Sequence, residues 1–389
     1  MACNILVLNI GSTSFKFKYF DMDTEAVIAS GKIGSVFTDK SDYVFEVNGE
    51  KQEGFLDATS GYKPCLERVF SLIDEKCEGG KSAVNGIGFK TVMAGDTNFP
   101  CVLDDTVLDK MQEYSIVAPA HNTPYIEAVR VVQELFPGVV TVGSFETSFH
   151  NTIPEYAVIY PIDKEMAEKY GIRKYGFHGA AHSYAAYKLS SEGYDAKNII
   201  SVHLGGSSSV CAIKDGKSVD TSMGFSPQSG IPMNNRCGDV DVFSILYLME
   251  KENMDSKQMR EFLSTKCGLL GMGGSNDMRV IEQQENSSVI EAYTYSTAKY
   301  ICSFLAALGG VDAISFSGGI GENSSSIKKS ICKRLEFLGV ELDDCKMNEK
   351  LGTEPLLIST DSSKVKVYIT PVDEELMVAK NTYSFIERR

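Results

Sequence analysis

Two distant segments of the chain share one pattern, and this repeat limits the folds that the chain can adopt. Each segment has an apolar run, a short turn rich in Gly, Ser and Thr, and a strand-like alternation: ILVLNIGSTSFKFKYFDM at 5–22 and NIISVHLGGSSSVCAIKDGKSV at 198–219. This order predicts a β-hairpin in each segment. The recurrence predicts two related domains that open with the same hairpin; the alternative is chance similarity between two ordinary hairpins.

Helical and strand patterns occupy much of the remaining chain. Amphipathic spacing predicts helices over residues 125–136, 180–193, 241–254 and 288–308. Later segments predict strand, Gly-rich turn and helix at 312–335, and a strand followed by a helix at 365–389. A length of 389 residues suits two domains better than one core. We therefore expect an α/β fold with two domains and a cleft between them.

Composition excludes several classes of function. The net charge of −14, with no basic arm or stripe, argues against nucleic acid as a partner. No apolar run is long enough for a transmembrane helix, and the first residues lack the features of a signal peptide. The ten cysteines are scattered without a CxxC pair, which indicates reduced thiols. These features predict a cytoplasmic protein with no membrane partner.

Three Gly-rich turns are candidates for phosphate binding: Gly11–Ser14, Gly205–Ser209 and Gly318–Asn323. Glycine lets the backbone approach an anion, and consecutive N–H groups form an anion-binding concavity. Each turn alone is more often an ordinary turn, but the three together, with Lys16 beside the first, favour a phosphate cleft. The Gly-Lys-Ser at 80–82 does not qualify as a P-loop, because Glu75 stands where the first glycine is required.

His178 and His182 are four residues apart in the stretch FHGAAH. A zinc site would require a third ligand and the glutamate of an HExxH motif, and the intervening residues are Gly-Ala-Ala. An imidazole directed at a transferring phosphoryl group is the better interpretation of His178, which follows a turn.

Two further charged groups have alternative interpretations. Arg236, with Asp239 and Asp241 nearby, could neutralise a phosphoryl group or belong to a surface Arg–Asp network. Glu374 begins a predicted helix, where it could hold Mg²⁺ or complement the helix dipole, and spacing alone favours the dipole. Neither group is assigned by its local pattern.

Taken together, the chain resembles the acetokinase family from end to end. The resemblance is carried by ten stretches in order: VLNIGSTSFKF, APAHNTP, SFETSFH, RKYGFHGAAH, VHLGGSSS, VDTSMGFSP, RCGDVD, GGSNDMR, SGGIGEN and TPVDEEL. It implies the actin-like and sugar kinase superfamily, with two duplicated ribonuclease H-like domains around a nucleotide cleft. We expect one domain at 1–148 plus 373–389, and a second, which holds the nucleotide, at 149–372.

The resemblance also implies an activity. It is direct, reversible transfer of the ATP γ-phosphoryl group to a short-chain carboxylate, giving an acyl phosphate and ADP, with Mg²⁺ as cofactor and a homodimer as the assembly. Carboxylate attack needs little covalent help but does need cations that cancel the repulsion between two anions. The implied cations are Arg236, His178 and Mg²⁺.

Binding roles are carried over to the positions that match the family motifs. The first hairpin supplies the phosphate and Mg²⁺ side, at Asn9, Ser12, Ser14 and Lys16, and the metal is shared by Asn9 and Glu374. The second phosphate loop contains His203, Gly205 and Gly206. The adenosine side contains Asp277, Arg279, Gly319, Ile320, Glu322 and Asn323. The pocket for the acyl chain contains Val92, Phe177 and Pro227.

The chain departs from the family at catalytic positions. The family motif GHRVVHGG has Lys90 in place of its arginine, which keeps the charge but loses the bidentate fork. The catalytic aspartate of FDTAFH is Glu146, one methylene longer. Our hypothesis is that Lys90 and Glu146 compensate for each other at the acyl site.

Two smaller departures bear on the substrates. Ala120 replaces a leucine of the acyl pocket, which predicts an acid larger than acetate, such as propionate, butyrate or a substituted acid. Gly206 replaces the asparagine of HLGNG, although the intact SGGIGEN still favours ATP over pyrophosphate. A catalytically weak, nucleotide-binding paralogue with a regulatory role remains a further alternative.

Overall fold

The computed structural model describes residues 3–11, 13–57, 61–97, 100–117, 119–191, 193–285 and 287–389, with main chain only at 119–121. The chain divides into two compact units. Unit 1 comprises Met1–Ser148 and Asp373–Arg389, and unit 2 comprises Phe149–Val372. Each unit is described separately.

Unit 1 is built on one mixed sheet. Its described strands are β1 (Asn4–Ile10), β2 (Phe15–Asp21), β3 (Ala26–Ile33), β4 (Lys40–Val47), β5 (Glu50–Asp57), β6 (Val84–Thr91), β7 (Cys101–Val102) and β8 (Val140–Phe145). The helices are α1 (Tyr62–Lys76), α2 (Asp105–Glu113), α3 (Pro119–Leu135) and, from the end of the chain, α14 (Glu374–Glu387). The strand order is β5-β4-β3-β2-β1-β6-β8-β7.

Unit 2 contains a second mixed sheet. Its described strands are β9 (Asn198–Leu204), β10 (Ser208–Lys214), β11 (Lys217–Thr221), β12 (Ala313–Ser317), β13 (Leu356–Leu357) and β14 (Lys366–Ile369), in the order β11-β10-β9-β12-β14-β13. Its helices are α4 (Glu155–Val158), α5 (Lys164–Lys169), α6 (Gly179–Leu189), α7 (Val242–Glu252), α8 (Ser256–Thr265), α9 (Gly268–Gly273), α10 (Met278–Gln283), α11 (Ser287–Leu308), α12 (Gly318–Asn323) and α13 (Ser325–Lys333).

The same five-strand arrangement occurs in both sheets. In each sheet, three antiparallel strands, β3-β2-β1 or β11-β10-β9, are followed by two strands parallel to the third, β6-β8 or β12-β14. Both predicted hairpins are present, as β1–β2 and β9–β10. The α/β class and the duplication predicted from the sequence are confirmed.

The core of unit 1 lies on both faces of its central strand. Successive side chains of a strand point to opposite faces, so Leu6 and Leu8 of β1 pack with α1 and α3, while Ile5 and Val7 pack with α14. The approach of α14 to the sheet requires glycine at Gly88, because a Cβ there would lie 2.4 Å from Thr382 Oγ1. The middle of β1, residues 5–8, is therefore apolar on both faces, as its sequence indicates.

Most predicted helices are confirmed, with shifted ends. The helix predicted at 125–136 begins six residues earlier, at Pro119, and the one predicted at 180–193 is α6 (Gly179–Leu189). One prediction was wrong in kind, since the Gly-rich stretch after β12 is the short helix α12 rather than a turn. Within the described residues, no helix is both long and apolar enough to cross a membrane.

Candidate active site

Lys90 and Glu146 meet at one edge of the unit 1 sheet because parallel strands end there. Strands β1, β6 and β8 run parallel, with β6 between the other two. Lys90 is the penultimate residue of β6, and Glu146 directly follows β8, where its backbone N–H donates to Thr91 O at 3.0 Å. The carboxyl ends of parallel strands are the usual position of ligand sites in α/β sheets.

Lys90 lies between two carboxylates at this edge. Its Nζ is 3.0 Å from Glu146 Oε1 and 2.8 Å from Glu374 Oε2. The three side chains are largely buried, with 18%, 9% and 22% of their surface exposed, respectively. Burial opposes the Lys90 charge, but the carboxylates of Glu146 and Glu374 outweigh it and hold the pKa of Lys90 well above its usual value. The hypothesis that Lys90 and Glu146 act as a pair has a direct contact to support it.

Glu374 lies in the first turn of α14, and its carboxylate also contacts Lys90 of β6. Asp373 caps α14, because its side chain accepts a hydrogen bond from Leu376 N at 3.0 Å. The Glu374–Lys90 pair joins the start of α14 to the end of β6. The structure thus gives Glu374 a specific partner that its spacing could not indicate.

Asn9 is held from both sides near the end of β1. Its Nδ2 donates to Glu375 Oε1 at 3.0 Å, and its Oδ1 accepts from the Tyr125 hydroxyl at 3.3 Å. The same hydroxyl accepts from the backbone N–H of Ile10 at 3.1 Å. Sequence reasoning missed Tyr125, whose place in an apolar helical pattern suggested only a core residue.

The donor set of this edge fits Mg²⁺. Asn9 offers an amide oxygen and Glu374 a carboxylate, and hard oxygen ligands are those that Mg²⁺ prefers. Among the described residues, no group of three or more His, Cys, Asp or Glu side chains forms a complete metal site. A Mg²⁺ ion with few protein ligands is usual, because the ion keeps water and substrate phosphate oxygens.

Unit 2 presents His178 at the start of α6. His178 adopts a left-handed conformation with φ 59°, which costs a non-glycine residue roughly 1–2 kcal/mol. Its Nδ1 lies 2.8 Å from Ser209 Oγ, and its ring centroid lies 4.9 Å from that of His203. His203 Nδ1 in turn lies 3.1 Å from Ser317 Oγ. Backbone strain of this kind is common at functional sites.

Arg236 is fixed in a loop of unit 2 by neutral partners. Its Nη1 donates to Ser207 Oγ at 3.0 Å and to Pro227 O at 3.3 Å. Asp239 accepts from Gly230 N and from Tyr300, and Asp241 caps α7. Arg236, Asp239 and Asp241 therefore do not form the Arg–Asp network that was the alternative interpretation. Burial lowers the pKa of Arg236. A half-buried guanidinium held by neutral groups suits an anionic ligand.

A pocket of about 790 Å³ lies within unit 2, in the size range of small-molecule sites. Seven residues with predicted nucleotide roles line it: Gly205, Gly206, Asp277, Arg279, Gly319, Ile320 and Asn323. Five further lining residues were missed: Asn234, Asn276, Met278, Glu282 and Ser324. Three of the five lie beside predicted positions in sequence, so proximity to GGSNDMR and SGGIGEN could have indicated them.

The first residues of α12, directly after β12, shape one wall of the pocket. Gly318 has φ +77°, and a Cβ there would lie 2.6 Å from Leu204 O, so glycine is required. Glu322 Oε1 accepts from Gly318 N at 3.2 Å and thereby holds the start of α12. Among the other lining residues, Arg279 Nη2 lies 2.6 Å from Asp277 Oδ2, which lowers the pKa of Asp277.

The remaining predicted residues have simpler positions. Ser12 lies outside the described residues, as does the side chain of Ala120. Ser14 O accepts from Gly11 N at 2.7 Å in the first turn, and Lys16 of β2 is exposed opposite Asn9. Of the predicted acyl-pocket residues, Val92 packs against the core of unit 1, and Phe177 and Pro227 belong to unit 2.

Comparison with known proteins gives the lineage. The model of the acetokinase family matches residues 4–380. The chain belongs to the acetokinase family. An acetate kinase of Fervidobacterium nodosum (strain ATCC 35602 / DSM 5306 / Rt17-B1) is 40% identical, with 99% of this chain and 98% of that protein covered. The resemblance inferred from the ten sequence stretches is confirmed.

Solved structures of the acetokinase family share the fold. The crystal structure of Porphyromonas gingivalis acetate kinase has a TM-score of 0.87 at 33% identity, covering 99% of this chain and 100% of that one. A propionate kinase from Francisella tularensis subsp. tularensis SCHU S4 has a TM-score of 0.89 at 32% identity, covering 98% and 99%. This acetokinase-family chain is therefore similar to kinases named for two different acids.

Proposed function

We propose that this acetokinase-family chain is a kinase that transfers the γ-phosphoryl group of ATP to a short-chain carboxylate. The products are an acyl phosphate and ADP, and the reaction runs in both directions. The observation that carries the proposal is the family match over residues 4–380. The pocket of unit 2, where seven predicted nucleotide residues meet, supports ATP as the donor.

The chemistry follows from the charges of the two substrates. A carboxylate oxygen attacks the γ-phosphorus, a new P–O bond forms, and the bond to the β-phosphate oxygen breaks. Both reactants are anions, so the protein must supply cations and alignment rather than a covalent intermediate. Arg236 and His178 are proposed to stabilise the phosphoryl group in transfer, and Lys90 to receive the acceptor carboxylate.

Asn9 and Glu374 are proposed to hold Mg²⁺. When bound, Mg²⁺ supplies positive charge to the phosphate oxygens. Glu375 and Tyr125 hold the Asn9 amide by hydrogen bonds at 3.0 Å and 3.3 Å, which fixes the direction of its oxygen. Serine and lysine side chains of the first hairpin, Ser12, Ser14 and Lys16, are proposed to contact the phosphates.

Glu146 is proposed to orient Lys90. A lysine is a flexible point charge and needs partners that fix its position. Glu146 Oε1 at 3.0 Å provides one such partner. Glu146, one methylene longer than the aspartate of the family, thereby contacts a lysine, which lacks the bidentate geometry of an arginine.

The preferred acid is proposed to be larger than acetate. The basis is Ala120, where the family has a leucine in the acyl pocket, and the similarity to a propionate kinase is compatible with it. We expect Ala120→Leu to shift relative kcat/KM towards acetate by about 10-fold or more, because one methylene is worth about 1–3 kcal/mol of discrimination. Measurement of kcat/KM for acetate and butyrate checks this, and an unchanged ratio would contradict it.

The chain is also proposed to be cytoplasmic and to form a homodimer. The support for a dimer is α7, whose apolar side chains are exposed: Val242 by 69%, Phe243 by 79%, Leu246 by 47% and Tyr247 by 59%. An exposed apolar surface of this kind is typical of a protein–protein interface. Reduced thiols are consistent with the cytoplasm.

A hydroxylamine trap for acyl phosphates tests the proposed function. The purified chain is incubated with Mg-ATP and acids from acetate to valerate, including hydroxy acids, and the hydroxamate is measured. A signal with any acid supports the kinase, and its ranking identifies the preferred chain length. Absence of signal with ATP binding intact would favour another acid or the regulatory paralogue.

A further inference from the structure

Four histidines of unit 2, His150, His178, His182 and His203, lie together, and two of them, His150 and His182, have no assigned role. The ring centroid of His182 lies 5.9 Å from that of His150 and 6.4 Å from those of His178 and His203. His182 is on α6, one turn after His178, and is completely buried. A fully buried imidazole beside a candidate catalytic one is a group that the proposed reaction does not yet use.

His182 is connected to His178 through a serine hydroxyl. His182 Nε2 lies 2.7 Å from Ser209 Oγ, and the same oxygen lies 2.8 Å from His178 Nδ1. On its other side, His182 Nδ1 lies 2.9 Å from Ser201 Oγ. Ser201 on β9 and Ser209 on β10 are both completely buried. The four side chains thus form a continuous relay in the order Ser201, His182, Ser209, His178.

The number of available protons limits which group donates and which accepts in each hydrogen bond of this relay. A serine hydroxyl has one proton and can donate only one hydrogen bond. Ser209 therefore cannot donate to both imidazoles, and at least one of the two ring nitrogens that it contacts must carry a proton. His182 contributes one donor and one acceptor, since burial, with His150 and His203 acting in the same direction, holds its pKa well below the usual value.

The neutral form of His178, in place of the cation that the family resemblance implies, selects one direction. A neutral imidazole that donates to a phosphoryl oxygen must carry its proton on Nε2, the nitrogen that Ser209 does not contact, so Nδ1 must accept. Ser209 then donates to His178, accepts from His182 Nε2–H, and leaves His182 Nδ1 to accept from Ser201. The hydrogen bond that each ring nitrogen makes sets its tautomer.

We propose that His182 and Ser209 are positioning residues that hold His178 as the tautomer with its proton on Nε2. The inference rests on the proposed function, in which His178 donates to the phosphoryl group. The strand pair β9–β10 supplies both serines, so the geometry of the hairpin determines which imidazole nitrogen faces the reaction. His182 acts only through Ser209 and does not touch the substrates.

Nitrogen NMR of the labelled chain tests the tautomer directly. The chain has five histidines, so ¹⁵N-histidine labelling gives few signals, and a His178→Asn variant assigns those of His178. At a pH high enough for the ring to be neutral, we expect His178 in the wild-type protein to show an unprotonated Nδ1 and a protonated Nε2. A proton on Nδ1 there would overturn the proposal without any variant.

Kinetics of Ser209→Ala test the consequence. We expect kcat to fall by about 10- to 100-fold, by analogy with the loss of partners that orient metal-bound histidines, while the KM for ATP changes little and the His178 tautomer becomes mixed. Ser209→Thr, which keeps the hydroxyl, should restore both. Ser218→Ala is the matched control, because Ser218 is also completely buried and lies 2.9 Å from Nδ1 of a different imidazole, His150.

The outcomes separate this inference from the proposed function. Wild-type kcat and an unchanged His178 tautomer in Ser209→Ala would refute the relay, although the kinase remains. A wild-type chain that makes no acyl phosphate would refute the kinase, while NMR would still report the tautomer. If Ser209→Ala does not fold, the same measurements are made on Ser201→Ala, which changes the far end of the relay. A single His178 tautomer in Ser201→Ala would likewise contradict the proposal.

Discussion

At the scale of single residues, Lys90 shows how a site can be arranged around a lysine where the family motif has an arginine. Two of the three donors of its ammonium group face Glu146 and Glu374, at 3.0 Å and 2.8 Å. A guanidinium is planar and presents its donors as a rigid fork, so it would not place them in the same directions. The positions of the Glu146 and Glu374 carboxylates therefore match the donor directions of a lysine at position 90.

We predict that Lys90→Arg and Glu146→Asp are coupled. Each single change should lower kcat/KM for the acid by about 10-fold or more, because it disturbs a buried ion pair. The double variant should lose less than the sum, with an interaction energy of about 0.5–3 kcal/mol. Steady-state kinetics with ATP and the best acid give kcat/KM for the two single variants and the double variant, each relative to the wild type.

The control for this cycle is an exposed ion pair in the same unit. Lys63 and Glu134 are paired on the surface, with 46% and 63% of their side chains exposed, and such pairs are worth about 0–1 kcal/mol. Lys63→Arg with Glu134→Asp should leave kcat/KM near the wild-type value. Strictly additive losses at Lys90 and Glu146 would refute the compensation.

Sequence reasoning identified Lys90 and Glu146 because both depart from family motifs. It could not find the second partner of Lys90, since Glu374 arrives on a helix almost 300 residues later and its direction depends on how α14 docks. Tyr125 was missed for a related reason. Its hydroxyl reaches Asn9 only because α3 packs on β1, which no local pattern reveals.

At the scale of elements, the short helix α12 depends on its neighbour α13. Lys328 of α13 is 1% exposed, and its Nζ donates to the carbonyls of Gly321 and Glu322 at 2.9 Å and 3.1 Å. Those carbonyls lie at the end of α12, where a helix lacks internal partners. The stretch SGGIGEN has poor helix propensity, so the sequence predicted a turn, and this tertiary contact overrides the propensity.

We predict that Lys328→Met weakens ATP binding more than acid binding. The change removes the Lys328 donor from one buried and one partly buried carbonyl, and an unsatisfied buried group lowers the free energy of unfolding by about 1–3 kcal/mol. Because Gly319 and Ile320 of α12 line the pocket, the KM for ATP should rise while the KM for the acid stays near wild type. Equal rises in both KM values would contradict the role of α12.

The same lysine gives a test of pH dependence. Burial lowers the pKa of Lys328 from 10.5 to about 8, although Cys332, Glu322 and Glu282 act in the opposite direction. Between these values the unfolded chain binds more protons than the folded one, so stability rises with pH across that window. The unfolding free energy of the wild type relative to Lys328→Met should therefore increase from pH 8 to 10. Chemical denaturation at several pH values measures it.

At the scale of the whole molecule, the two hairpin segments predicted the duplication and the first two strands of each repeat, but not the five-strand arrangement. The strands that differ between the units were not predictable either, because β4 and β5 extend one sheet at positions with no counterpart in the repeat. The exposure of the apolar side chains of α7 could not be predicted from the sequence either. The spacing at 241–254 predicts an amphipathic helix with one buried face, yet every described residue of α7 is exposed or half-buried.

We predict that α7 is the contact between two copies of the chain. Phe243→Glu combined with Leu246→Glu should convert a dimer into a monomer, because charges replace apolar side chains that the interface would bury. Sedimentation velocity measures the change in mass. Phe337→Glu is the control, since Phe337 is 73% exposed in the same unit outside α7, and it should leave the dimer intact. A wild-type monomer would refute the prediction.

The docking of α14 on the sheet of unit 1 has a consequence for how the protein is made. Ile5, Val7 and Phe20 are translated long before Val378 and Ala379 of α14, which cover them. One face of the early sheet must therefore stay open while the whole of unit 2 is being translated. Glu374 joins Lys90 in the same late event, so a nascent chain carries an incomplete candidate site until residues 374–387 have been synthesised. Translation, and not only folding, sets the moment at which catalysis can begin.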